Sequence, residues 1–191
     1  MSEAMKFSKQ SVATSMSLPG LYPSLRQSSG QDVEQLLEAA DLHLRHENLL
    51  PAIDLYEKIV VLQPENIKHL ETLARLYVGT NNISRAIQCF EALLEKKALN
   101  AEASYELGRL YYDIGNYQQA VIHLARADRL RPDDALLIKN LADAYMRLGN
   151  YLDAFRHYNK AFVINPAETN VKASLFQCCI EVGDRHFSGT S

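Results

Sequence analysis

The sequence has no apolar run of 18 or more residues, so no stretch of it reads as a membrane-spanning helix. Cysteine is scarce. Cys89, Cys178 and Cys179 are an odd number with two of them adjacent, which is not a disulfide framework. Free, buried thiols in a reducing compartment are expected, hence a cytoplasmic address, or a nuclear one reached by diffusion. Charge of one sign is lacking too. A net charge of −3 over 191 residues supplies no field that would draw the chain to nucleic acid or anionic lipid. There is no phosphate-binding glycine loop, no nucleophile elbow and no pair of carboxylates in a recognisable catalytic context. The expectation is a non-enzyme with no catalytic residues, no cofactor and no metal. Lys6 and Lys9 are not followed by a continuous apolar stretch, so no secretory signal is expected, while the Ser-rich, acid-poor start leaves an organelle transit peptide open.

What is present is a soluble, core-forming composition, 47 % hydrophobic and 23 % charged. Residues 1–32 are expected to be a disordered, Ser-rich tail, because the first 31 hold eight serines, two prolines and two glycines and lack helical periodicity. Their one apolar cluster is LPGLYPSL, residues 18–25. It reads as a turn-rich linker, or as a short peptide that docks on the protein's own groove or on a partner.

From residue 33 the chain repeats itself every 34 residues. Leu36 aligns with Leu70, and Ala39 with Leu73, Leu107 and Leu141. A small column follows at Ala40, Ala74, Gly108 and Ala142, then His43, Tyr77, Tyr111 and Tyr145. A second small column holds Ala52, Ala86, Ala120 and Ala154, and a bulky one holds Tyr56, Phe90, Leu124 and Tyr158. The units are 33–66, 67–100, 101–134 and 135–168, closing near Pro64, Ala98, Pro132 and Pro166, with a half unit at 169–183 and a flexible tail at 184–191.

Each unit reads as two antiparallel helices. Leu70, Leu73, Ala74 and Tyr77 recur at i, i+3, i+4 and i+7, the spacing of one helix face. The break between helices carries Glu47, Asn81, Gly115, Gly149 and Gly183, mostly residues that accept a left-handed backbone. Asn48, Asn82, Asn116, Asn150 and Asp184 follow as N-caps of the second helices, and Asn66, Asn100 and Asp134 cap first helices. Small residues are needed where two helices approach to about 8–10 Å. One pair cannot bury its apolar faces alone, so the pairs must stack into an all-α solenoid.

The period, the Leu-(Ala/Gly) pair, the Tyr, the Gly-Asn-Tyr turn, the Ala and the terminal Pro together resemble the tetratricopeptide repeat over residues 33–168, with 169–183 as a half unit. Unit one departs from the pattern, with His43 in place of the aromatic and Ile59 in place of a small residue. The resemblance implies a right-handed superhelix whose inner groove binds peptides or helices of partner proteins. It implies a scaffold, adaptor or co-chaperone more than an enzyme. The subtype that clamps the acidic C-terminus of heat-shock chaperones needs Lys-x-x-x-Asn, Asn and Lys-x-x-x-Arg in successive units. One frame here offers Leu37, Asp41, Thr72, Glu102 and Glu106, the other Glu71, Arg75, Glu106, Leu136 and Asn140. Neither supplies the cationic pair, so that partner is not expected.

One face of each first helix is left free of packing. Its rows read Leu37, Glu71, Tyr105, Lys139 and Asp41, Arg75, Arg109, Asp143. Glu71–Arg75 and Lys139–Asp143 are i,i+4 pairs, so this face is either solvated and self-paired or a peptide groove. The groove candidates are Asp41, Arg75, Tyr105, Arg109, Tyr112, Lys139, Asn140, Asp143, Met146 and Arg147. Arg109 between Tyr105 and Tyr112 suits a peptide with an apolar side chain and a carboxylate or backbone carbonyl.

His43 and His46 lack further ligands at metal spacing. Cys89, His123 and His157 stand a whole repeat apart, too far for one metal. Arg126, Arg129 and Arg131 are expected to be helix-end cations in solvent. The half unit carries Leu175, Phe176, Cys179 and Ile180, with Phe176 and Cys179 in columns that a partner helix covers elsewhere. That face could bind a partner, bind another copy, mark a truncated chain or stay partly exposed. The function expected is a non-catalytic adaptor or assembly scaffold. The alternatives are a client-specific chaperone for an orphan subunit or secreted protein, or a regulatory arm of a larger enzyme or complex.

Overall fold

In the computed structural model, which describes residues 30–97 and 99–188, the described residues form helices and no strand. They are α1 Gly30–Arg45, α2 Leu49–Leu62, α3 Ile67–Gly79, α4 Ile83–Lys96, α5 Ala101–Asp113, α6 Tyr117–Leu130, α7 Ala135–Arg147, α8 Tyr151–Ile164 and α9 Thr169–Ser188. The expected tail and the LPGLYPSL cluster lie outside the described residues, except that α1 already begins at Gly30, with Asp32 in its first turn to complement the dipole. Each helix packs chiefly on its neighbours in sequence, which makes the chain an all-α solenoid.

The breaks obey the turn chemistry. Glu47, Asn81, Gly115 and Gly149 all take positive φ, at 58°, 57°, 77° and 71°. The caps divide. Asn82 accepts from the Arg85 amide, Asn116 from Gln119, Asn66 from Lys68, Asn100 from Ala103 and Asp134 from Leu137. Asn48 and Asn150 make no such bond, contrary to expectation. The side-chain amide of Asn150 instead donates to Asp153 Oδ2 at 2.8 Å. The fifth break does not form either, because α9 runs through Gly183 and Asp184 to Ser188. Glycine permits a left-handed turn without requiring one. A helical glycine costs about 1 kcal/mol.

The columns interlock as their sizes demand. Ala40, Ala74 and Ala142 are fully buried, as are Ala52, Ala86, Ala120 and Ala154. At Gly108 the approach is closest: a Cβ there would lie 2.6 Å from Leu124 Cγ and 3.0 Å from the Leu124 backbone nitrogen. Tyr56, Phe90, Leu124 and Tyr158 are buried beside these contacts, each worth about 1.5–3 kcal/mol as a buried side chain. A polar clip recurs with the repeat. The Tyr77 hydroxyl donates to Glu57, and one period on the Tyr111 hydroxyl donates to Glu91 Oε1 at 2.5 Å. At the next junction the carboxylate is replaced by Ala125, and Tyr145 packs against His157 with ring centroids 5.2 Å apart.

Cys89 and Cys178 are buried, but Cys179 is exposed, which corrects the expectation of three buried thiols. Neighbours on a helix point about 100° apart, so Cys178 and Cys179 cannot both face the core. Burial pushes the Cys89 thiol up to about 12. A thiol-reactive dye should therefore label one cysteine rapidly in the native chain and three after denaturation; rapid native labelling of all three would contradict this packing. Glu47 holds a backbone conformation that disfavours a Cβ, so Glu47→Gly should stabilise the chain by about 0.5–1 kcal/mol in a denaturant titration.

Candidate functional site

The free faces of α3, α5 and α7 meet around Tyr105. The Asn140 amide donates to the Tyr105 hydroxyl oxygen at 2.9 Å, tying α7 to α5. The Arg109 guanidinium lies 5.8 Å from the Tyr105 ring centroid, and that of Arg131 lies 5.4 Å from it. Ion pairs extend from this hub in both directions. Arg75 pairs with Glu71 at 2.9 Å and with Glu102 at 4.0 Å, and Arg131 pairs with Glu102 at 3.3 Å and Asp134 at 3.5 Å. Glu102 thus links the second unit to the end of the third. Arg109 pairs with Glu106 at 3.4 Å.

Arg131 corrects the reading of it as a solvent-facing helix end. It is the C-cap residue of α6 and folds over Tyr105, where its Nε and Nη2 are buried without a hydrogen-bond acceptor among the described residues. Leaving such donors unmatched costs about 1–3 kcal/mol, partly offset by the aromatic face beneath. A signal existed in the sequence: the column of Gln63, Lys97, Arg131 and Asn165 is polar in every unit, at the point where the chain crosses toward the next first helix.

Beside the hub, between α5 and α7, lies a cleft of about 170 Å³ lined by Arg109, Tyr112, Asp113, Leu124, Asn140 and Asp143. Asp143 is already engaged: Lys139 Nζ donates to Oδ2 at 3.0 Å and the Tyr158 hydroxyl to Oδ1 at 2.5 Å. Tyr112 meets Tyr117 edge-on at 5.3 Å, and Arg147 donates to the Tyr117 hydroxyl oxygen at 3.0 and 2.8 Å. Lys139 and Arg147, which do not line the cleft, are each committed to a partner.

Other candidates fall elsewhere. Asp41 is at the far end of the row, where its charge helps burial raise the pKa of Tyr56. Met146 turns inward, its sulfur 3.7 Å from Cys178 Sγ, and packs in the apolar cluster of α7, α8 and α9. On α9, Leu175 packs in that same cluster, whereas Phe176 is 71 % exposed and Ile180 41 %. With Cys179 they leave an apolar strip on the last helix.

Burial raises the pKa of Tyr105 and Tyr112 above the usual phenol range. Burial also raises the pKa of Glu106, opposed by Arg109, Arg75 and Arg131 and reinforced by Glu102. A carboxyl with a raised folded-state pKa is taken up as the acid more readily by the folded chain. Its ionised form therefore detracts from stability at neutral pH, and the deficit disappears as pH falls below the unfolded value of about 4.3. Glu106→Gln should melt higher than the parent at pH 7, and the gap should close by pH 4; a gap that widened on acidification would reverse this assignment.

Two family models described as tetratricopeptide repeat match the chain, one over residues 71–135 and one over 135–168. Together they span just over half of the 191 residues. No curated protein sequence matches it. Among solved structures, a crystal structure of MamA protein superposes with a TM-score of 0.76 at 24 % identity, covering 81 % of this chain and 85 % of that one. MamA 41-end from Desulfovibrio magneticus RS-1 gives 0.70 at 18 % identity, covering 86 % and 100 %. A tetratricopeptide repeat protein from Parabacteroides merdae gives 0.73 at 17 % identity, covering 81 % and 62 %. At these identities the likeness is one of fold. With the helix pairs, the left-handed breaks and the interlocked columns already in place, the chain belongs to the tetratricopeptide repeat family.

Proposed function

We propose that this chain is a non-catalytic adaptor or assembly scaffold that binds a peptide or helical segment of a protein partner along the face formed by α3, α5 and α7. The observation that carries this reading is the cleft beside Tyr105. There Arg109, Tyr112 and Asn140 border a concavity on the exposed face of α5 and α7. Arg109 remains 47 % exposed despite its pair with Glu106, so it retains donors for a backbone carbonyl or a carboxylate. Aromatic and arginine side chains around a concave centre are the composition of a binding hot spot.

Panning the full chain against a displayed library of random peptides tests the reading. Selected peptides should bind the parent, and Arg109→Glu combined with Tyr105→Ala should weaken them by roughly 30-fold or more, the loss expected of hot-spot side chains. Undiminished affinity in that variant would move the site off this face.

A further inference from the structure

The cleft between α5 and α7 occupies a position that two other units fill with a phenol of their own. In unit four the Tyr158 hydroxyl donates to Asp143 Oδ1, with the Ser174 hydroxyl nearby. In unit one Tyr56 stands near Thr72 and feels the charge of Asp41. In unit two Phe90 occupies the column and in unit three Leu124 does, each 1 % exposed. Moving one period back from unit four, the counterpart of Tyr158 is Leu124, that of Asp143 is Arg109, and that of Ser174 is Asn140. Those three residues line the cleft.

Leucine is too short to reach where the phenol ring stands. Gly108 widens the difference, because without a Cβ it lets Leu124 press against α5, with only 2.6 Å between Leu124 Cγ and the place a Cβ would take. The hollow that remains measures about 170 Å³. A cavity of about 150 Å³ is enough to hold benzene. Its sides suit a ring: Tyr112 and Arg109 offer aromatic and cation–π contacts, above a floor closed by the buried Leu124. Asn140 gives its amide N–H to Tyr105 and keeps its carbonyl oxygen as an acceptor, and it holds the position that Ser174 takes beside Tyr158 in the next unit. The carboxylates of Asp113 and Asp143 on the same lining oppose an acidic head group.

We propose that the cleft is a receptor for a tyrosine side chain presented by a partner peptide, its ring against Leu124 and its hydroxyl donating to Asn140 Oδ1. This rests on the groove reading above and names the anchor that the groove takes.

The probe is p-cresol, the side chain of tyrosine as a free molecule, titrated into the full chain and followed by amide NMR shifts. Saturable shifts at Arg109, Tyr112, Asn140 and Asp143 are expected, with toluene bound about fivefold or more weakly, the worth of one hydrogen bond. Leu124→Tyr restores the residue type of units one and four, so it should keep the parent melting temperature and lose the p-cresol shifts. Asn140→Leu should bind p-cresol and toluene alike. Absence of shifts at these residues, equal binding of the two probes by the parent, or unchanged p-cresol binding by Leu124→Tyr would each overturn the proposal. Tighter p-cresol binding by Tyr22→Ala would assign the cleft to the chain's own residues 18–25 and overturn the partner assignment. Library peptides separate the two levels. If Arg109→Glu with Tyr105→Ala weakens them and Leu124→Tyr does not, the groove stands and the tyrosine anchor falls; if neither variant matters, both fall.

Discussion

Every helix of this chain has an apolar face that only its neighbours can cover, and the closeness of that cover is fixed by one contact per unit. A small residue on the first helix meets a bulky residue and an alanine on the second, and this contact sets how near the two axes come. The rest of the architecture follows from it. Tight turns with left-handed residues return the chain at the required distance, and caps satisfy the helix starts thus exposed. The next pair then lies on the surface that the last one left open.

Because the contact repeats, a local departure from it is informative. Unit three alone combines glycine in the small column with leucine in the bulky one. The pair still packs closely, with Leu124 buried, and a cleft of about 170 Å³ lies over this shorter side chain on the free face. In a repeat protein a site can arise by subtraction. The surrounding polar residues already stand where neighbouring units use theirs to hold an internal hydroxyl.

Much of this was legible in the sequence. The columns, the breaks at Glu47, Asn81, Gly115 and Gly149, and the opposition of small and bulky residues are periodic, and periodicity is what a sequence displays best. Tyr105, Arg109 and Asp143 could be grouped because they lie in two adjacent rows on consecutive first helices. What escaped depended on the third dimension. Arg131 reads as a helix-end cation until the chain's crossing brings it over Tyr105. Met146 shares the groove's register but turns toward Cys178. Asn48 and Asn150 occupy cap positions without capping, and α9 continues through Gly183 where the sequence suggests a turn. In each case the residue type allowed two conformations, and tertiary contacts chose between them.

The ionic chain along the face has a consequence for how a partner arrives. Glu71, Arg75, Glu102, Arg131 and Asp134 alternate in sign at contact distances. Their fields therefore cancel within a few ångströms, well inside the Debye length of about 8 Å at physiological salt. Such a surface does not steer a ligand through solution. It discriminates only after touch, so encounter proceeds at the unassisted rate, nearly indifferent to salt, and the differences between ligands lie in how long each one stays.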